Sequence, residues 1–382
     1  MDIVVFSASF GGGHQSAAAA IEDYLAARYP DDVTAETVDF FERFTPNLNT
    51  LAKFAYQQSV QFFPHLYGTF FELTNRYPDS PVARELAQVG FESAREFLAE
   101  RRPHAVVATY PIAGSVAAEA KVRRVAEGAD DRPIPYCATA ITDWGTHAQW
   151  VHPATDDYFV ASADMKEALA AQGVGWDAVH ATGIPIRRGF SDLPRKEEAR
   201  DKHGLEDRFT VLIMGGGAGW GLVRELAQAT AELGVQVIAV AGRSDRVFAQ
   251  LKEVARRYRR VRAIGWTDAI PELMAAADVL LGKAGGITVA EAAAAGLPQV
   301  VVSPIPGQEV YNVDFLVNWG AALAARDVDD ARAKVDFLAR HSGRIQEMAR
   351  NAAGLGRPDA TKNLCDRVVT TVRNRLAGAS TP

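Results

Sequence analysis

Short apolar runs alternate along the chain with longer, alanine-rich amphipathic segments. The first run, at residues 3–6, leads into a glycine-rich turn and then a helical pattern that places Ala17, Ile21 and Leu25 on one face. The same half continues with strand-like runs at 105–109 and 136–141 and with helical patterns at 82–100 and 114–127. This alternation predicts βα units, which form parallel sheets covered by helices.

A second series of βα units starts at residue 210. Its strand-like runs are residues 210–214, 236–240, 261–264, 279–281 and 299–302, and its first helical pattern is 222–233. Glycine and proline at 183–194, between the two series, indicate a linker. We therefore predict a Rossmann-like domain at 1–184, a second one at 195–355, and a helical segment at 356–382 that can return to pack on the first.

Length and charge narrow the class of protein. The 382 residues, 48% of them hydrophobic, suffice for two domain cores. The 41 Lys and Arg against 47 Asp and Glu give a net charge of −6, which disfavours nucleic acid as the partner. Cys137 and Cys365 have neither CxxC spacing nor a nearby histidine, so we expect reduced thiols and no zinc site.

The apolar runs also bear on location. No stretch approaches the roughly 20 apolar residues that span a bilayer, and residues 1–7 lack the basic and apolar regions of a signal peptide. We expect a cytoplasmic protein, either soluble or peripheral to a membrane.

A glycine-rich turn opens the second series of βα units. Gly215, Gly216, Gly217 and Gly219 follow a strand-like run and precede a helical pattern. Small residues let backbone N–H groups approach a diphosphate, and the helix N-terminus adds partial positive charge. A tight turn chosen for packing explains the same residues. Neither a P-loop nor a clean GxGxxG fingerprint is present, so an NTPase or dehydrogenase is not indicated.

Two later loops carry polar groups at the carboxyl edge of the same predicted sheet, where ligands bind in open α/β sheets. After the run 279–281, Gly285, Gly286 and Thr288 offer donors to a phosphate, and Glu291 can accept from a ribose hydroxyl. After the run 299–302, the candidates for sugar hydroxyls are Gln308, Glu309 and Asn312. For both loops the alternative is an ordinary helix start with its polar caps.

His14 follows three glycines at a predicted helix start. A helix N-terminus depresses the pKa of an imidazole and so favours the neutral form that a base needs. A capping or structural histidine fits the spacing equally well.

Residues 142–150 follow a strand-like run and form the other polar cluster of the first half. Asp143 is a candidate base or a carboxylate that orients one, and His147 and Trp150 are candidates for an acceptor site. The alternative is a turn held by Asp143, with Trp150 in the core.

Residues 40–77 are rich in aromatic side chains, among them Phe62, Phe63 and Tyr67. Such a segment can dock at the headgroup–acyl boundary of a membrane and guide a lipid to the site. Ordinary helix packing is the alternative, and we expect both uses.

Four motifs occur in a fixed order along the chain. They are GGGH at 11–14, TDxxxHxxW at 142–150, GGITVAEA at 285–292 and PIPGQExxN at 304–312. This order resembles the diacylglycerol glycosyltransferases, which include the monogalactosyldiacylglycerol synthases and the bacterial processive glucosyltransferases. It is more loosely similar to the N-acetylglucosaminyltransferase that completes the lipid precursor of peptidoglycan. The resemblance covers nearly the whole chain and implies the GT-B fold, in which two Rossmann-like domains face each other across a cleft.

The resemblance also implies roles for residues. In relatives the segment matching 285–291 holds the diphosphate and ribose, and the segment matching 308–312 holds the sugar. Three residues resemble the stretch whose backbone reads uracil, namely Gly265, Trp266 and Thr267. The histidine matching His14 lies in the cleft beside donor and acceptor, and Gly12 and Gly13 are assigned to the acceptor with it. Plant-type members have an aspartate, a candidate base, where this chain has Ser9, so that role moves to His14 or another group.

From the resemblance we expect an inverting, UDP-sugar-dependent hexosyltransferase that forms a glycosyldiacylglycerol. The acceptor hydroxyl attacks the anomeric carbon as UDP departs, which requires a base and stabilisation of the diphosphate. His14 is the first choice as base and Asp143 the second. No DxD-type pair is placed for a metal, so we expect neither metal nor cofactor. The expected location is peripheral, on the inner face of the cell membrane.

Three alternatives stay open. One is a GT-B enzyme with another lipid acceptor, such as an undecaprenyl-linked sugar or a carotenoid. Another is a UDP-sugar epimerase-like enzyme, which requires several carboxylates around the sugar. The third is a non-catalytic UDP-sugar sensor, which the serine at position 9 keeps open. Glucose and galactose donors are not distinguished by the sequence.

Overall fold

The computed structural model of the chain describes residues 1–47, 58, 63–78, 80–126, 135–216 and 222–379. These residues form two compact units. The first consists of Met1–Arg187 together with Asp359–Pro382, and the second consists of Arg188–Pro358. The division after Arg187 falls between the two predicted domain limits at 184 and 195.

The first unit is built on a parallel six-stranded sheet. Its strands are β1 (Asp2–Ser7), β2 (Thr34–Asp39), β3 (Ala105–Ala108), β4 (Tyr136–Ala140), β5 (Asp157–Phe159) and β6 (Val179–His180). They lie in the order β2-β1-β3-β4-β5-β6. Its helices up to the linker are α1 (Gly13–Arg28), α2 (Phe40–Phe44), α3 (Pro64–Arg76), α4 (Pro81–Gln88), α5 (Phe91–Arg101), α6 (Pro111–Ala126) and α7 (Asp164–Ala170).

Central strands of this sheet coincide with the apolar runs in the sequence. In β1 the residues from Ile3 to Phe6 are completely buried, because helices cover both faces of a parallel sheet. Strand β2 escaped prediction because it lies at the sheet edge and its sequence, TAETVD, has no apolar run. The helix predicted at 82–100 is wrong in one respect, since it is two helices. Gly90 adopts a φ of +75° and separates α4 from α5.

The second unit has its own parallel six-stranded sheet. Its strands are β7 (Thr210–Met214), β8 (Gln236–Val240), β9 (Val261–Ile264), β10 (Val279–Gly282), β11 (Gln299–Val302) and β12 (Ala322–Ala325). Its helices are α8 (Lys196–Lys202), α9 (Val223–Ala231), α10 (Asp245–Arg257), α11 (Ile270–Ala276), α12 (Gly286–Ala294), α13 (Gln308–Asn318), α14 (Val328–Arg340) and α15 (Ser342–Leu355). The strand order is β12-β11-β10-β7-β8-β9.

Each strand order reverses direction at one place. In the first sheet the chain moves from β1 outward to β2 and then back across to β3. In the second it moves from β7 to β8 and β9 and then back to β10. Such a switch point leaves a crevice at the carboxyl ends of the two neighbouring strands, where ligands bind. The two places to look for chemistry are therefore the β1/β3 end and the β7/β10 end.

The last helix, α16 (Ala360–Ala379), completes the first unit. It packs beside α1, and Leu364, Val368 and Val369 are buried in the same core cluster as Ile3. Its Arg367 also donates a 3.1 Å hydrogen bond to the carboxylate of Asp157. The first core is therefore closed by residues from both ends of the chain.

Candidate active site

His14 lies at the switch point of the first sheet. It is in the first turn of α1, directly after the glycine loop that leaves β1. The hydroxyl of Thr109, the residue after β3, donates a 3.0 Å hydrogen bond to the carbonyl oxygen of His14. The backbone N–H of Thr109 in turn donates to Phe6 at the end of β1. The ends of β1, β3 and α1 are thus joined around this histidine.

The ring of His14 is held in one tautomer. Its Nδ1 lies 2.8 Å from the carbonyl oxygen of Thr109 and 2.9 Å from the hydroxyl of Thr142, the second residue after β4. A carbonyl oxygen can only accept a hydrogen bond, so Nδ1 carries the proton. The lone pair of the neutral ring then sits on Nε2, which has no hydrogen-bond partner among the described residues. This nitrogen can accept a proton.

Burial lowers the pKa of His14 to about 4, although its hydrogen bond to the Thr109 carbonyl acts in the opposite direction. The ring of Tyr110 meets the imidazole edge-on, with centroids 5.0 Å apart, and Trp150 lies 6.3 Å away. The histidine is therefore neutral at physiological pH. Aromatic rings lie next to it.

Asp143 follows Thr142 and is partly buried, next to the residue that contacts the His14 ring. Trp150 is 3% exposed, so it is a core residue whose ring also borders His14. The structure thus brings Asp143, Trp150 and His14 to one end of the sheet, and their roles in the reaction stay predictions.

The structure gives His147 a structural role. It is buried, its Nε2 lies 3.0 Å from the carbonyl oxygen of Phe71, and its Nδ1 accepts from the backbone of Gln149. Asn75 accepts a hydrogen bond from the backbone of Ala148 beside it. Nε2 thus fastens α3 to the turn after β4, whereas Nδ1 holds the turn itself. The predicted contact of His147 with an acceptor stays a prediction, and it requires one of these bonds to open.

A carboxylate that the sequence did not reveal lies beside Ser9. The hydroxyl of Ser9 donates to Asp39, the last residue of β2, and Gln15 donates a 2.8 Å hydrogen bond to the same hydroxyl. Asp39 also caps α2 by accepting from Glu42. Where the resemblance expects an aspartate and this chain has Ser9, Asp39 of the neighbouring strand therefore supplies a carboxylate. No apolar run marks β2, which is why Asp39 was missed.

Of the two predicted acceptor glycines, Gly12 is the N-cap of α1 and Gly13 is its first residue, and a side chain on Gly12 would meet open space. Of the aromatic candidates, Phe62 lies outside the described residues, Phe63 is exposed and Tyr67 is partly buried. The aromatic residues of α2 belong instead to the core. The aromatic segment is thus divided between core and surface.

One face of α3 is apolar and exposed. Its large exposed side chains, including those of the two flanking residues, are Phe63, Leu66, Phe70, Leu73 and Tyr77. Their spacing of three and four residues places them along one stripe of the helix.

At the switch point of the second sheet, β7 and β10 come unusually close. A Cβ atom on Gly282 would lie 2.2 Å from the carbonyl oxygen of Met214. Only glycine fits at position 282. The close approach lies directly before Gly215 and Gly216, which follow β7, and directly before Lys283, which follows β10. Gly216 has a φ of +77°, whereas the predicted Gly217 and Gly219 lie outside the described residues. Met214, Gly215, Gly282 and Lys283 line one small crevice at this point.

Helix α12 begins at Gly286 with Gly285 as its N-cap. Gly286 and Thr288 are therefore in its first turn. A Cβ atom on Gly285 would lie 3.9 Å from the Thr288 hydroxyl and 3.9 Å from the Glu309 carboxylate. Glu291, further along the helix, is buried. The groups that the sequence assigned to a diphosphate thus lie at the start of the helix that follows β10.

Two of the residues predicted for the sugar are used to hold the loops. Asn312 is fully buried and donates a 2.8 Å hydrogen bond to the carbonyl oxygen of Ala284. Glu309 accepts from the backbone of Ile305 at 2.7 Å and from Lys283 at 3.5 Å. These contacts join the loop after β10 to the loop after β11. Gln308 opens α13 after Gly307, whose φ is +92°.

The stretch predicted to read uracil follows β9 at the same edge of the sheet. Gly265 packs against Phe248, and Trp266 is 53% exposed. The Thr267 hydroxyl accepts a hydrogen bond from the backbone of Ala269 and so fixes the turn.

In the described parts of the chain, no group of three or more His, Cys, Asp or Glu side chains is arranged to hold a metal ion. No helix of the described ranges is both long enough and apolar enough to span a bilayer.

Two family models match the chain. Residues 14–186 match the monogalactosyldiacylglycerol (MGDG) synthase model, and residues 210–364 match the glycosyltransferase family 28 C-terminal domain. A protein of Bacillus mycoides (strain KBAB4) named processive diacylglycerol beta-glucosyltransferase is 27% identical over 371 residues, covering 96% of this chain and 93% of the relative. A protein of the same name from Bacillus cereus (strain ATCC 14579) matches to the same extent. These matches confirm the resemblance that the motifs predicted.

Solved structures are similar over the whole length. MurG of Acinetobacter baumannii aligns with a TM-score of 0.62 at 16% identity, covering 97% of this chain and 99% of that one. UDP-GlcNAc 2-epimerase of Neisseria meningitidis aligns with a TM-score of 0.61 at 14% identity, covering 97% and 100%. Anabaena Alr3699/HepE in complex with UDP aligns with a TM-score of 0.53 at 16% identity, covering 99% and 100%. With the two parallel sheets, these likenesses confirm the predicted pair of Rossmann-like domains of the GT-B kind.

Proposed function

We propose that this chain, a glycosyltransferase that joins an MGDG synthase domain to a glycosyltransferase family 28 C-terminal domain, transfers a hexose from a UDP-sugar to diacylglycerol. The names of the Bacillus relatives support diacylglycerol as acceptor, and the complexes of the Anabaena protein with UDP and UDP-glucose support the donor. The observation that carries the proposal is the orientation of His14, whose Nδ1 is bound to Thr109 and whose Nε2 is left to accept a proton.

His14 acts as the base. As the acceptor oxygen forms its bond to the anomeric carbon, its proton moves to Nε2 and the bond between that carbon and the UDP oxygen breaks. Attack opposite the leaving group inverts the anomeric configuration. The imidazolium that forms is stabilised at Nδ1 by the Thr109 carbonyl and the Thr142 hydroxyl. Asp143 is the second candidate for the base.

Backbone amides stabilise the departing UDP. Negative charge grows on the β-phosphate as the glycosidic bond breaks; Gly215 and Lys283 line the crevice between β7 and β10, and the N-terminus of α12 follows β10. Lys283, beside Glu309, adds a positive charge near the same place. In this proposal the reaction needs neither a metal ion nor another cofactor.

The acceptor is a membrane lipid, so the enzyme works at a membrane surface, which we place at the cytoplasmic face. The exposed apolar stripe on α3 supports this, because its side chains can enter the headgroup–acyl boundary. Helix α3 is also fastened by His147 to the turn that continues to Trp150, beside His14. Helix α3 is thus linked through this turn to the residues around the base.

The test is transfer of radiolabel from UDP-glucose and from UDP-galactose, in parallel, to diacylglycerol in mixed micelles that contain a chelator. We expect one donor to give a labelled glycolipid, and we expect the chelator to have no effect. If neither donor gives a glycolipid although UDP binds, the diacylglycerol assignment is wrong. Activity that vanishes only with chelator would contradict the metal-free mechanism.

A further inference from the structure

Helix α3 carries the exposed apolar stripe but buries little of itself. Among its described residues only Gly68 and Thr74 are buried, and the other side chains are partly or fully exposed. Apolar burial is non-directional, and its contribution grows with the area that is removed from water. Directional polar contacts are therefore important for fixing the position of α3.

Two hydrogen bonds join the C-terminal half of α3 to the turn after β4, and we call them the α3 attachment. Nε2 of His147 lies 3.0 Å from the carbonyl oxygen of Phe71, so this nitrogen carries the proton and donates it. The side-chain oxygen of Asn75 accepts a 2.8 Å hydrogen bond from the backbone N–H of Ala148. The ring of His147 also packs against that of Phe71, with centroids 4.4 Å apart, and the hydroxyl of Thr74 lies 3.4 Å from Nε2.

The two nitrogens of His147 have different roles. Nδ1 accepts a 3.1 Å hydrogen bond from the N–H of Gln149 within the turn, whereas Nε2 donates to α3. Burial lowers the pKa of His147, although the bond to Phe71 acts in the opposite direction, so the ring is neutral at physiological pH. A neutral imidazole has one donor and one acceptor, and both are used here.

The turn connects the α3 attachment with the base. His147 is the N-cap of the single helical turn Ala148–Trp150, and its carbonyl oxygen accepts a 2.9 Å hydrogen bond from the N–H of Trp150. Trp150 is buried, and its ring centroid lies 6.3 Å from that of His14. One turn of backbone therefore separates the attachment of α3 from a ring that borders His14.

We infer that His147 and Asn75 are positioning residues for the lipid acceptor, an inference that rests on the proposed function. By holding α3, they fix the stripe that enters the membrane relative to His14, so that the hydroxyl of a lipid in the membrane surface meets the base. Both act through α3 and not by contact with the reacting atoms. Their effect can be large, because a misplacement of about 1 Å costs up to about a hundredfold in rate.

The experiment replaces His147 in two ways that separate its nitrogens. In His147→Asn the amide oxygen can take the place of Nδ1 and keep the bond to Gln149, but the side chain is too short to reach Phe71. In His147→Gln the amide nitrogen can take the place of Nε2 and keep the bond to Phe71. A second pair is Asn75→Leu, which removes the oxygen that accepts from Ala148, and Asn75→Asp, which retains it.

Transfer is measured with the full chain on phosphatidylcholine vesicles that contain diacylglycerol at a range of surface concentrations. We expect His147→Asn and Asn75→Leu to lower kcat about 10- to 100-fold, with KM for the UDP-sugar and sedimentation with the vesicles unchanged. His147→Gln and Asn75→Asp should retain most of the rate. Each His147 variant loses one hydrogen bond, so thermal unfolding should show similar losses of stability in both. Only a positioning role separates their rates.

His152 provides the matched control in the same segment. Burial lowers its pKa too, and its Nδ1 accepts from the N–H of Ala154 two residues further on, the same arrangement as in His147. Its Nε2 lies 3.5 Å from Glu119 of α6, so its outer bond is not made to α3. His152→Asn should therefore transfer sugar at the rate of the unaltered chain.

The outcomes separate the inference from the proposed function. If His147→Asn and Asn75→Leu transfer sugar as fast as the unaltered chain, the inference is overturned while the proposed function stands. An equal loss of rate in His147→Asn and His147→Gln also overturns it, since the imidazole and not its bond to α3 would then be required. If His147→Asn does not fold, the two Asn75 variants decide by the same comparison. If the unaltered chain forms no glycolipid from UDP-glucose or UDP-galactose, the proposed function itself is wrong.

Discussion

Nδ1 of His14 and the carbonyl oxygen of Thr109 lie 2.8 Å apart, and this one contact determines which nitrogen of the imidazole can take up a proton. The two residues are far apart in the chain, and they meet because β1 and β3 are neighbours at the switch point of the first sheet. A glycine loop alone would expose a histidine without orienting it. The strand order supplies the orientation.

Replacing His14 by alanine should lower the rate of transfer by about 10²–10⁴-fold, because the proton of the acceptor hydroxyl loses its base. In the proposed function UDP binds to the second unit, so its affinity should not change. Steady-state kinetics and UDP titration measure the two effects. His341→Ala, an exposed histidine of the second unit, is the matched control and should be active.

If the His14→Ala variant is active and the Asp143→Asn variant is inactive, the base is Asp143 and not His14. A sensor would bind UDP in every variant and transfer sugar in none, including the unaltered chain.

The stability of the protein should depend on the protonation of His14. Burial lowers its pKa in the folded state from 6.5 to about 4. Between these values the unfolded chain binds a proton that the folded chain does not, so stability is complete above pH 6.5 and falls as the pH falls towards 4. The difference in pKa corresponds to about 3 kcal/mol.

Urea denaturation at pH 7 and pH 4 measures this effect when the unaltered chain is compared with His14→Ala. His147 and His152 also have pKa values lowered by burial, but both proteins contain them, so they cancel in the comparison. Equal pH dependence in the two proteins would contradict the depressed pKa.

The sequence predicts most of the fold where burial is two-sided. The apolar runs of β1 and of β7 are continuous because helices cover both faces of these strands. At sheet edges this signal is weaker: β2 and β12, in which only some residues are buried, are not predicted, whereas the edge strand β9 is. The strands β5 and β6, of three and two residues, are not predicted either.

The candidate site, like the fold, could be predicted from the sequence only in part. His14 could be singled out because glycines precede it, and the loops at Gly285 and Gln308 could be recognised from their motifs. Asp39 could not, because its partner Ser9 is brought to it by strand pairing. The sequence also does not show that Asn312 is buried and supports Ala284, since that contact spans two loops.

Gly282→Ala should damage the second switch point. The new methyl group would lie 2.2 Å from the carbonyl oxygen of Met214, so β7 and β10 must move apart just before Gly215. We expect a loss of roughly 1–3 kcal/mol in the free energy of unfolding, as for other overpacked cores, and weaker binding of UDP. Chemical denaturation and UDP titration measure both.

Gly354→Ala is the matched control for that substitution. Gly354 is near the end of α15, where a methyl group meets no other atom within 4 Å. Alanine is the better helix former, so this variant should gain about 0.5 kcal/mol and bind UDP normally. Similar losses in both variants would contradict the close approach of the strands.

Asp157→Asn should loosen the attachment of α16. Burial raises the pKa of this carboxyl, but hydrogen bonds from His180, Tyr136 and Arg367 outweigh it and hold the pKa below its usual value. We expect a loss of about 2–3 kcal/mol at pH 7 by urea denaturation, because charged hydrogen bonds are lost. This contribution is present above the unfolded pKa near 4 and is lost as the pH falls through the folded value, so the variants should converge in acid.

The exposed pair of Asp336 and Arg340 provides the comparison, since these side chains are 35% and 74% exposed. Asp336→Asn should change stability by less than about 0.5 kcal/mol. A loss as large as that of Asp157→Asn would show that any carboxylate on the surface has this effect.

The return of α16 to the first unit has a consequence for synthesis on the ribosome. The apolar positions that Leu364, Val368 and Val369 cover belong to strands and a helix that precede the second unit in the chain. The whole of Arg188–Pro358 emerges before that covering helix does. The nascent first sheet must therefore wait, with one apolar face open to chaperones, until α16 has been synthesised. A chain that stops between Pro358 and α16 has a complete second unit and an uncovered first one, which makes it a target for quality-control proteases.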